Sequence, residues 1–430
     1  MSETNHSTAQ RWPRLLAGAE WLERASTKAV LSLLNRDGHE ARAVGGAVRN
    51  ALMGLPVTDV DVATTATPEE VVSRAEAAAL RAVDTGSEHG TVTLVHDGEA
   101  IEVTTLREDV ETYGRHARVT FTRDWASDAR RRDFTMNALY AEPDGTVFDP
   151  LGGYDDLLAR RVRFIGDAGA RIREDYLRIL RFFRFEAEYG QPGAPGAAMD
   201  EAALAAIERE TAGLDLLSGE RVHTELLRLI KAEGASRALR VMADRGVLAR
   251  VLGGAPRLTD FDKAVSIWQS IGFQPDSMML LAVLAVRVEE EAERLSKSLR
   301  LSNAEADELT ALPRAARKIS AEMPEQEAKA ALYRLGPKLY RGGVLLTWVQ
   351  AREAVDNAAW RVLFALPDAW DIPAFPIKGG DLVAMGIGPG LEVGTVLREL
   401  ERRWIASDFS TSRDALLAAA KDFAVPNESR

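Results

Sequence analysis

The chain contains no cysteine in 430 residues. Disulfides, thiolate zinc sites, iron–sulfur clusters and cysteine nucleophiles are therefore excluded, and any bound metal must sit on oxygen or imidazole. Long apolar runs are missing as well. The longest, Met278 to Val286, ends at Arg287, far short of the roughly 18–20 residues that cross a bilayer, so no membrane span is expected. Met1 to Pro13 is polar and lacks the basic start and apolar stretch of a secretory signal, which makes a cytoplasmic location the expectation. Repeat periods, heptads and low-complexity tracts are absent too. What is present is a globular balance of 46% hydrophobic and 28% charged residues, and at roughly 100–200 residues per domain the length implies two to four units.

The net charge of −11 argues at first against a polyanionic partner. Its distribution argues otherwise. Between Arg160 and Arg184 stand eight arginines and three acidic residues, with no lysine, a cationic segment inside an acidic chain. Arginine offers a planar fork for bidentate contacts to phosphates and bases, which a merely solubilising face does not require.

Trp12 to Leu34 carries apolar residues at helical spacing, and Ala41 to Gly46 reads as a short strand ending in a glycine pair, with a helix from Ala47. Val57–Ala63, Thr91–Val95 and Ala100–Leu106 read as strands, so the first region is mixed α/β. From about Asp167 the pattern is helical almost throughout, with turn clusters near Gly190–Gly196, Gly253–Pro256 and Pro373–Gly380. Ser302 followed by Glu305 fits a capping box at a helix start.

Chemistry concentrates in a few places. On a strand over Val57–Ala63, Asp59 and Asp61 share a face, giving two carboxylates that suit Mg²⁺, an ion that commonly bridges protein carboxylates and substrate phosphates. Upstream, Gly45 and Gly46 let the backbone approach a triphosphate, the helix start beyond them favours anions, and Arg49 adds charge. Glu102, among the β-formers of Ile101–Thr105, is either a third acidic group near the metal or an exposed strand residue. His89, beside Gly90, and His116 read as ordinary loop side chains rather than ligands.

Asp175, Arg178, Arg181 and Arg184 recur every three residues, along one drifting side of a helix. A carboxylate accepts from the exocyclic amine of C or A, while a guanidinium donates to the adjacent ring nitrogen. G and U present the opposite order and would meet like groups. The alternative is an Asp–Arg salt bridge on a solvated helix, worth only about 0–1 kcal/mol.

Further motifs follow in order: Arg131-Arg132-Asp133-Phe134-Thr135-Met136-Asn137-Ala138-Leu139, then Asp149-Pro150-Leu151-Gly152-Gly153, Glu174-Asp175-Tyr176-Leu177-Arg178, and Ser218-Gly219-Glu220-Arg221 with Glu225. With these the chain resembles the tRNA nucleotidyltransferase and bacterial poly(A) polymerase family, specifically its class II branch, from about Arg42 to at least Ile230. Asn50 departs from it, standing where the family usually has Asp, so no role is assigned to that side chain.

The resemblance implies a polymerase β-like α/β nucleotidyltransferase head over residues 1–160, with its core at about 40–160, followed by all-helical neck (161–240), body (241–330) and tail (331–430). It implies Mg²⁺-dependent addition of CCA to tRNA 3′ ends from CTP and ATP. Asp59 and Asp61 would carry the metal, Arg132 and Asp133 would serve the ribose and phosphate region, and Arg181 and Arg184 would line the same pocket. Asp175 and Arg178 fall on its nucleobase-recognition motif. Phe134 and Leu139 are expected in the core. The polar interval Arg107–His116 reads as a mobile loop, linked in that family to completing the terminal A. Phe375–Leu382 and Gly386–Gly390 resemble the family's tail, as a short helix between glycine turns that either meets an RNA phosphate or is a plain packing corner. A poly(A) polymerase using ATP alone, or a non-catalytic RNA-binding protein retaining the fold, are the other readings.

Overall fold

The computed structural model describes residues 9–87, 90–113, 116–190, 199–351 and 353–423, with 109–113 and 116–118 described by backbone alone. His89 lies outside the described residues, as do Gly114 and Arg115, and His116 is described only as the start of a strand. Two compact units divide at Gly254/Ala255. The described strands all belong to the first: β1 (Gln10–Trp12), β2 (Ala41–Val44), β3 (Asp61–Thr64), β4 (Arg81–Gly86), β5 (Thr91–His96), β6 (Glu99–Thr105), β7 (Arg107–Tyr113), β8 (His116–Phe121), β9 (Tyr140–Ala141) and β10 (Val147–Asp149). A mixed sheet runs in the order β1-β10-β9-β2-β3-β6-β5-β4, and β7 and β8 form a separate antiparallel ribbon.

β2 is buried along its whole length between β9 and β3, which is why Ala41–Val44 reads as a continuous small apolar run broken only by Arg42. β3 pairs antiparallel with β2 and parallel with β6, placing Asp61 opposite both Val44 and Glu102. The expected strand over Val57–Ala63 starts late, at Asp61. Beyond the Val44–Asp61 rung, Gly45 turns away at φ +70°, so Thr58–Val60 have no ladder partner. The carbonyls of Val57 and Thr58 instead accept from the Arg24 guanidinium at 3.0 and 3.2 Å. The expected helical stretch Trp12–Leu34 is also divided: Pro13 and Gly18 (φ +77°) follow the edge strand β1, and Arg24 is non-helical between the helices Glu20–Glu23 and Ala25–Leu34. Arg107–Tyr113 and His116–Phe121 pair as a two-stranded ribbon in place of the expected loop, because Val110, Thr112, Val119 and Thr120 supply strand formers on both arms.

Phe134 and Leu139 are fully buried, as expected. Phe134 packs its ring against Phe164, Phe182 and Phe185 at centroid distances of 5.0, 6.4 and 4.9 Å. The segment after Asp133 is thereby fastened to the helix Leu177–Tyr189, each such ring pair contributing about 0.5–1.5 kcal/mol beyond area burial.

After β10 the described residues form helices and turns without further strands. In the second unit the helix Ser277–Ala285 is buried from Met278 to Ala285, which explains its unbroken apolar sequence as a core helix. No helix among the described residues is long and apolar enough to cross a membrane. Ser302 and Glu305 form the expected capping box, the Glu305 carboxylate accepting from the Ser302 amide at 2.9 Å. The short helix Gly379–Ala384 stands between glycine turns before the helix Leu391–Ala406, and Ile377, Leu382, Ile387, Leu400 and Trp404 close that corner as one apolar cluster.

Gly153 opens the helix Gly153–Leu158, and a Cβ there would lie 2.1 Å from the Thr135 carbonyl oxygen. Backbone cannot yield as a side-chain tip can. Gly153→Ala is expected to lower stability by about 1–3 kcal/mol in urea denaturation. Gly394→Ala, at a half-buried position inside the helix Leu391–Ala406 with open space around its Cβ, should instead gain up to about 1 kcal/mol.

Candidate active site

A cavity of about 720 Å³ in the first unit is lined by Gly45, Gly46, Arg49, Asp59, Asp61, Arg132, Asp133, Asp175, Arg178, Arg181 and Arg184 together with neighbouring residues. Sequence positions from 45 to 184 thus meet on one wall. Of the catalytic and nucleotide-binding residues expected from sequence, Glu102 alone is not on that wall. It sits beside Asp61 across the β3–β6 ladder, where registered side chains of a parallel pair share a face.

The acidic corner is built at the end of β3. Asp61 opens the strand and Asp59 precedes it outside any strand, so the two reach the cavity from a strand end and its lead-in rather than from one strand face. The Asp59 carboxylate accepts from the Thr58 hydroxyl at 3.0 Å. Surrounding protein first, then the negative charge of Glu102 and of Asp59, push the Asp61 carboxyl above the usual aspartate range, against the pull of Arg132. Accumulated negative charge of this kind is relieved by a cation. Among the described residues no three carboxylate or imidazole side chains converge into a ready-made metal cage.

Gly45 takes φ +70°, and a Cβ on it would stand 3.6 Å from Arg132 Nη1 and 3.8 Å from the Asn137 carbonyl oxygen. Glycine here permits both the turn and an open approach to the backbone. Arg49 lies on the helix Gly46–Leu52 and is nearly buried. It donates to Asn137 Oδ1 at 2.5 Å, to the Tyr189 hydroxyl at 2.8 Å and to Asn50 Oδ1 at 2.9 Å, while its guanidinium stacks 4.1 Å from the Tyr189 ring centroid. Asn50 therefore orients Arg49, and its amide also donates to the Pro56 carbonyl at 3.1 Å. Burial lowers the Arg49 pKa below its ordinary value.

Asp133 is the hinge between head and helix. Its Oδ1 accepts from the Phe134 amide and from Asn137, at 2.9 and 3.0 Å, and its Oδ2 accepts from Arg181 Nε and Nη2 at 2.8 and 2.5 Å. Burial alone would raise its pKa, but Arg181 and these hydrogen bonds hold it down to about 2. Arg181 also reaches Glu225 at 3.4 Å, and Arg184 donates to Glu225 at 2.5 Å and to Glu188 at 2.7 Å.

The helix expected to run through Asp175 is broken there. Ala168–Glu174 ends at Asp175, whose extended backbone (φ −154°, ψ 106°) separates it from Leu177–Tyr189. The Asp175 carboxylate accepts from the Leu177 amide at 3.1 Å and from Arg221 at 2.7 Å. An aspartate that bonds nearby backbone amides competes with the helix ladder and favours a break. Arg178 begins the second helix and donates to Glu174 at 2.6 Å and to the Arg171 carbonyl at 2.9 Å. Asp175 and Arg178 line one cavity, joined through the backbone by the Arg178 amide donating to the Asp175 carbonyl at 3.0 Å while their side chains turn to Arg221 and Glu174, and Arg178, Arg181 and Arg184 keep the three-residue spacing on one helix face.

Several wall residues escaped sequence reading. Glu188 stands four residues beyond Arg184, one helical turn on and a signal available in the sequence, with Tyr189 next to it, and Arg221 and Arg228 come from the helix Gly219–Lys231. Arg221 lay within a recognised motif, but its contact with Asp175 spans 46 positions, which spacing cannot disclose.

Asp133 has a sharp test. Its pKa of about 2 in the fold lies below roughly 3.9 in the unfolded chain, so its contribution is complete above about pH 4 and fades as pH falls toward 2. Asp133→Asn should cost about 1–3 kcal/mol near neutral pH, and the difference from the parent should shrink below about pH 4 in denaturant titrations.

Known proteins share both fold and sequence with the chain. The family described as the Poly A polymerase head domain matches residues 41–163, and the one described as the probable RNA and SrmB-binding site of polymerase A matches residues 196–261. The mitochondrial CCA tRNA nucleotidyltransferase 1 of Danio rerio is 37% identical over 90% of this chain and 88% of its own. The CCA-adding enzyme of Latilactobacillus sakei is 30% identical over 93% of this chain and 98% of its own. The crystal structure of the Bacillus stearothermophilus CCA-adding enzyme in complex with CTP superposes with a TM-score of 0.69 and 28% identity, covering 92% of this chain and 95% of that one. Near full-length identity at this level, joined to a polymerase head whose acidic and arginine-rich motifs meet on one cavity, makes the chain a member of the CCA-adding tRNA nucleotidyltransferase family.

Proposed function

We propose that this protein adds CCA to the 3′ ends of tRNA, consuming CTP and ATP and releasing pyrophosphate. The observation that carries the reading is the meeting of an acidic corner, Asp59 and Asp61, with a base-facing pair, Asp175 and Arg178, on the wall of one cavity. Its volume falls within the range of small-molecule sites.

Asp59 and Asp61 are the residues that would hold Mg²⁺, with Glu102 adding negative charge behind them. A divalent ion there supplies positive charge to the reacting phosphate and to the attacking hydroxyl. The remaining work is positioning and charge neutralisation by the protein. Gly45 and Gly46 leave room for the triphosphate against backbone, Arg132 and Arg49 offset its charge, and Asp133 fixes Arg181 beside it. Asp175 accepts from the exocyclic amine of C or A, and Arg178 donates to the neighbouring ring nitrogen. U and G offer a carbonyl where Asp175 needs a donor. The helical remainder, divided into neck, body and tail, is the part that would bind tRNA.

Purified protein, tRNA lacking its 3′ end and each nucleoside triphosphate, supplied singly and together, test the reading. Ordered incorporation of C, C and A supports it, and a tract of A from ATP alone would identify a poly(A) polymerase instead. Asp59→Ala or Asp61→Ala should abolish incorporation of both nucleotides while tRNA binding persists in a filter assay. Asp175→Ala should reduce the preference for CTP over UTP by roughly ten- to a hundredfold in single-turnover incorporation. An unchanged ratio would leave Asp175 as no more than the partner of Arg221.

A further inference from the structure

Asp128, on the helix Trp125–Arg130, is fully buried, a costly place for a carboxylate unless its lone pairs are filled. They are filled by four donors. Oδ1 accepts from Arg131 Nε at 2.8 Å, while Oδ2 accepts from Arg132 Nε at 3.3 Å, Arg132 Nη2 at 3.1 Å and the Tyr140 hydroxyl at 2.8 Å. The Arg132 guanidinium also lies 5.4 Å from the centroid of the Tyr140 ring. One edge of the Arg132 fork is therefore fixed, and its remaining corner, Nη1, faces the bare Cα of Gly45, 3.6 Å from where a Cβ would stand. Burial works against the Arg132 charge, but Tyr140 and Asp128 more than offset it and raise its pKa. The backbone of the two arginines is held separately, because Arg171 Nη2 donates to the carbonyls of both Arg131 and Arg132. Asp128 and Tyr140 thus govern where the Arg132 side chain points rather than where its peptide lies.

We infer that Asp128 and Tyr140 are positioning residues for the nucleotidyl transfer, locking Arg132 so that its Nη1 corner meets the triphosphate or ribose common to CTP and ATP. The inference rests on the reading of Arg132 as a nucleotide-binding residue. Since the locked corner faces a part shared by both substrates, the lock serves affinity and leaves the choice of base to Asp175 and Arg178.

The test is steady-state incorporation of CTP on tRNA ending before its CCA, and of ATP on tRNA ending in CC, with Tyr140→Phe, Arg132→Ala and the double variant. Tyr140→Phe keeps the ring in the core and removes one donor to Asp128. It should raise KM for CTP and ATP by the same factor, about three- to tenfold, with kcat within about twofold of the parent and CTP-over-UTP preference unchanged. In the Arg132→Ala background the same change should add nothing to KM, since its effect passes through Arg132. Asp128→Asn should raise KM further, with folding checked by thermal melting. An equal rise with and without Arg132, a change confined to one nucleotide, or no change in KM would overturn the inference. If Arg132→Ala itself leaves both KM values unaltered, the nucleotide-binding reading of Arg132 falls first, and the lock with it. If Arg132→Ala raises them and Tyr140→Phe does not, only the lock is wrong.

Discussion

Asp133 and Arg181 come from segments 48 positions apart, one leading out of the α/β head and the other on the helix that carries the cavity-lining arginines Arg178 and Arg184. Their two hydrogen bonds, with the Phe134 ring cluster behind them, set where the acidic corner stands relative to that helix. Under the proposed reading, slackening of the pair by an ångström would shift the acidic corner relative to Asp175 and Arg178, and catalysis by positioning is sensitive to displacements of that size. Glu225 completes the arrangement by accepting from Arg181 and Arg184 together, so the helix Gly219–Lys231 bears on the same joint.

Most guanidiniums on this wall already have protein partners. Arg178 is engaged by Glu174, Arg221 by Asp175, Arg184 by Glu188 and Glu225, and Arg132 by Asp128. So many like charges around one cavity would repel if left uncompensated, and the interleaved carboxylates make the concentration tolerable. Under the proposed reading, a base at Asp175 and Arg178 would exchange or share these internal contacts instead of finding bare donors. Selectivity then reflects the difference between substrate and protein partners, which favours a base able to satisfy both groups at once.

The alternating strands β5 and β6, the helical character after Asp167 and the Ser302–Glu305 cap were legible because each is fixed by neighbours in sequence. The ordered motifs pointed to a single site, and the cavity gathers all the residues expected there except Glu102. What sequence could not disclose depends on distant partners. Asp59 falls outside β3 because the partner strand turns away at Gly45, and Asp175 breaks a periodicity that continues on either side of it. Asp128 carries no motif signal of its own, and its importance emerges only when Arg132 and Tyr140 are seen to converge on it.

The ribbon of β7 and β8 leaves the head and returns to it through one narrow neck. Leu106, fully buried, donates its amide to the Thr64 carbonyl at 2.7 Å and accepts from the Thr122 amide at 2.9 Å, just below the first rung between Arg107 and Phe121. Entry and exit are therefore neighbours, closed by bonds that do not involve the ribbon's far end. Lengthening or trimming such an arm changes loop-closure entropy only slowly with residue number and leaves the strand order of the main sheet untouched. The arm is therefore anchored at its base alone, a unit whose length is set separately from the sheet beneath it.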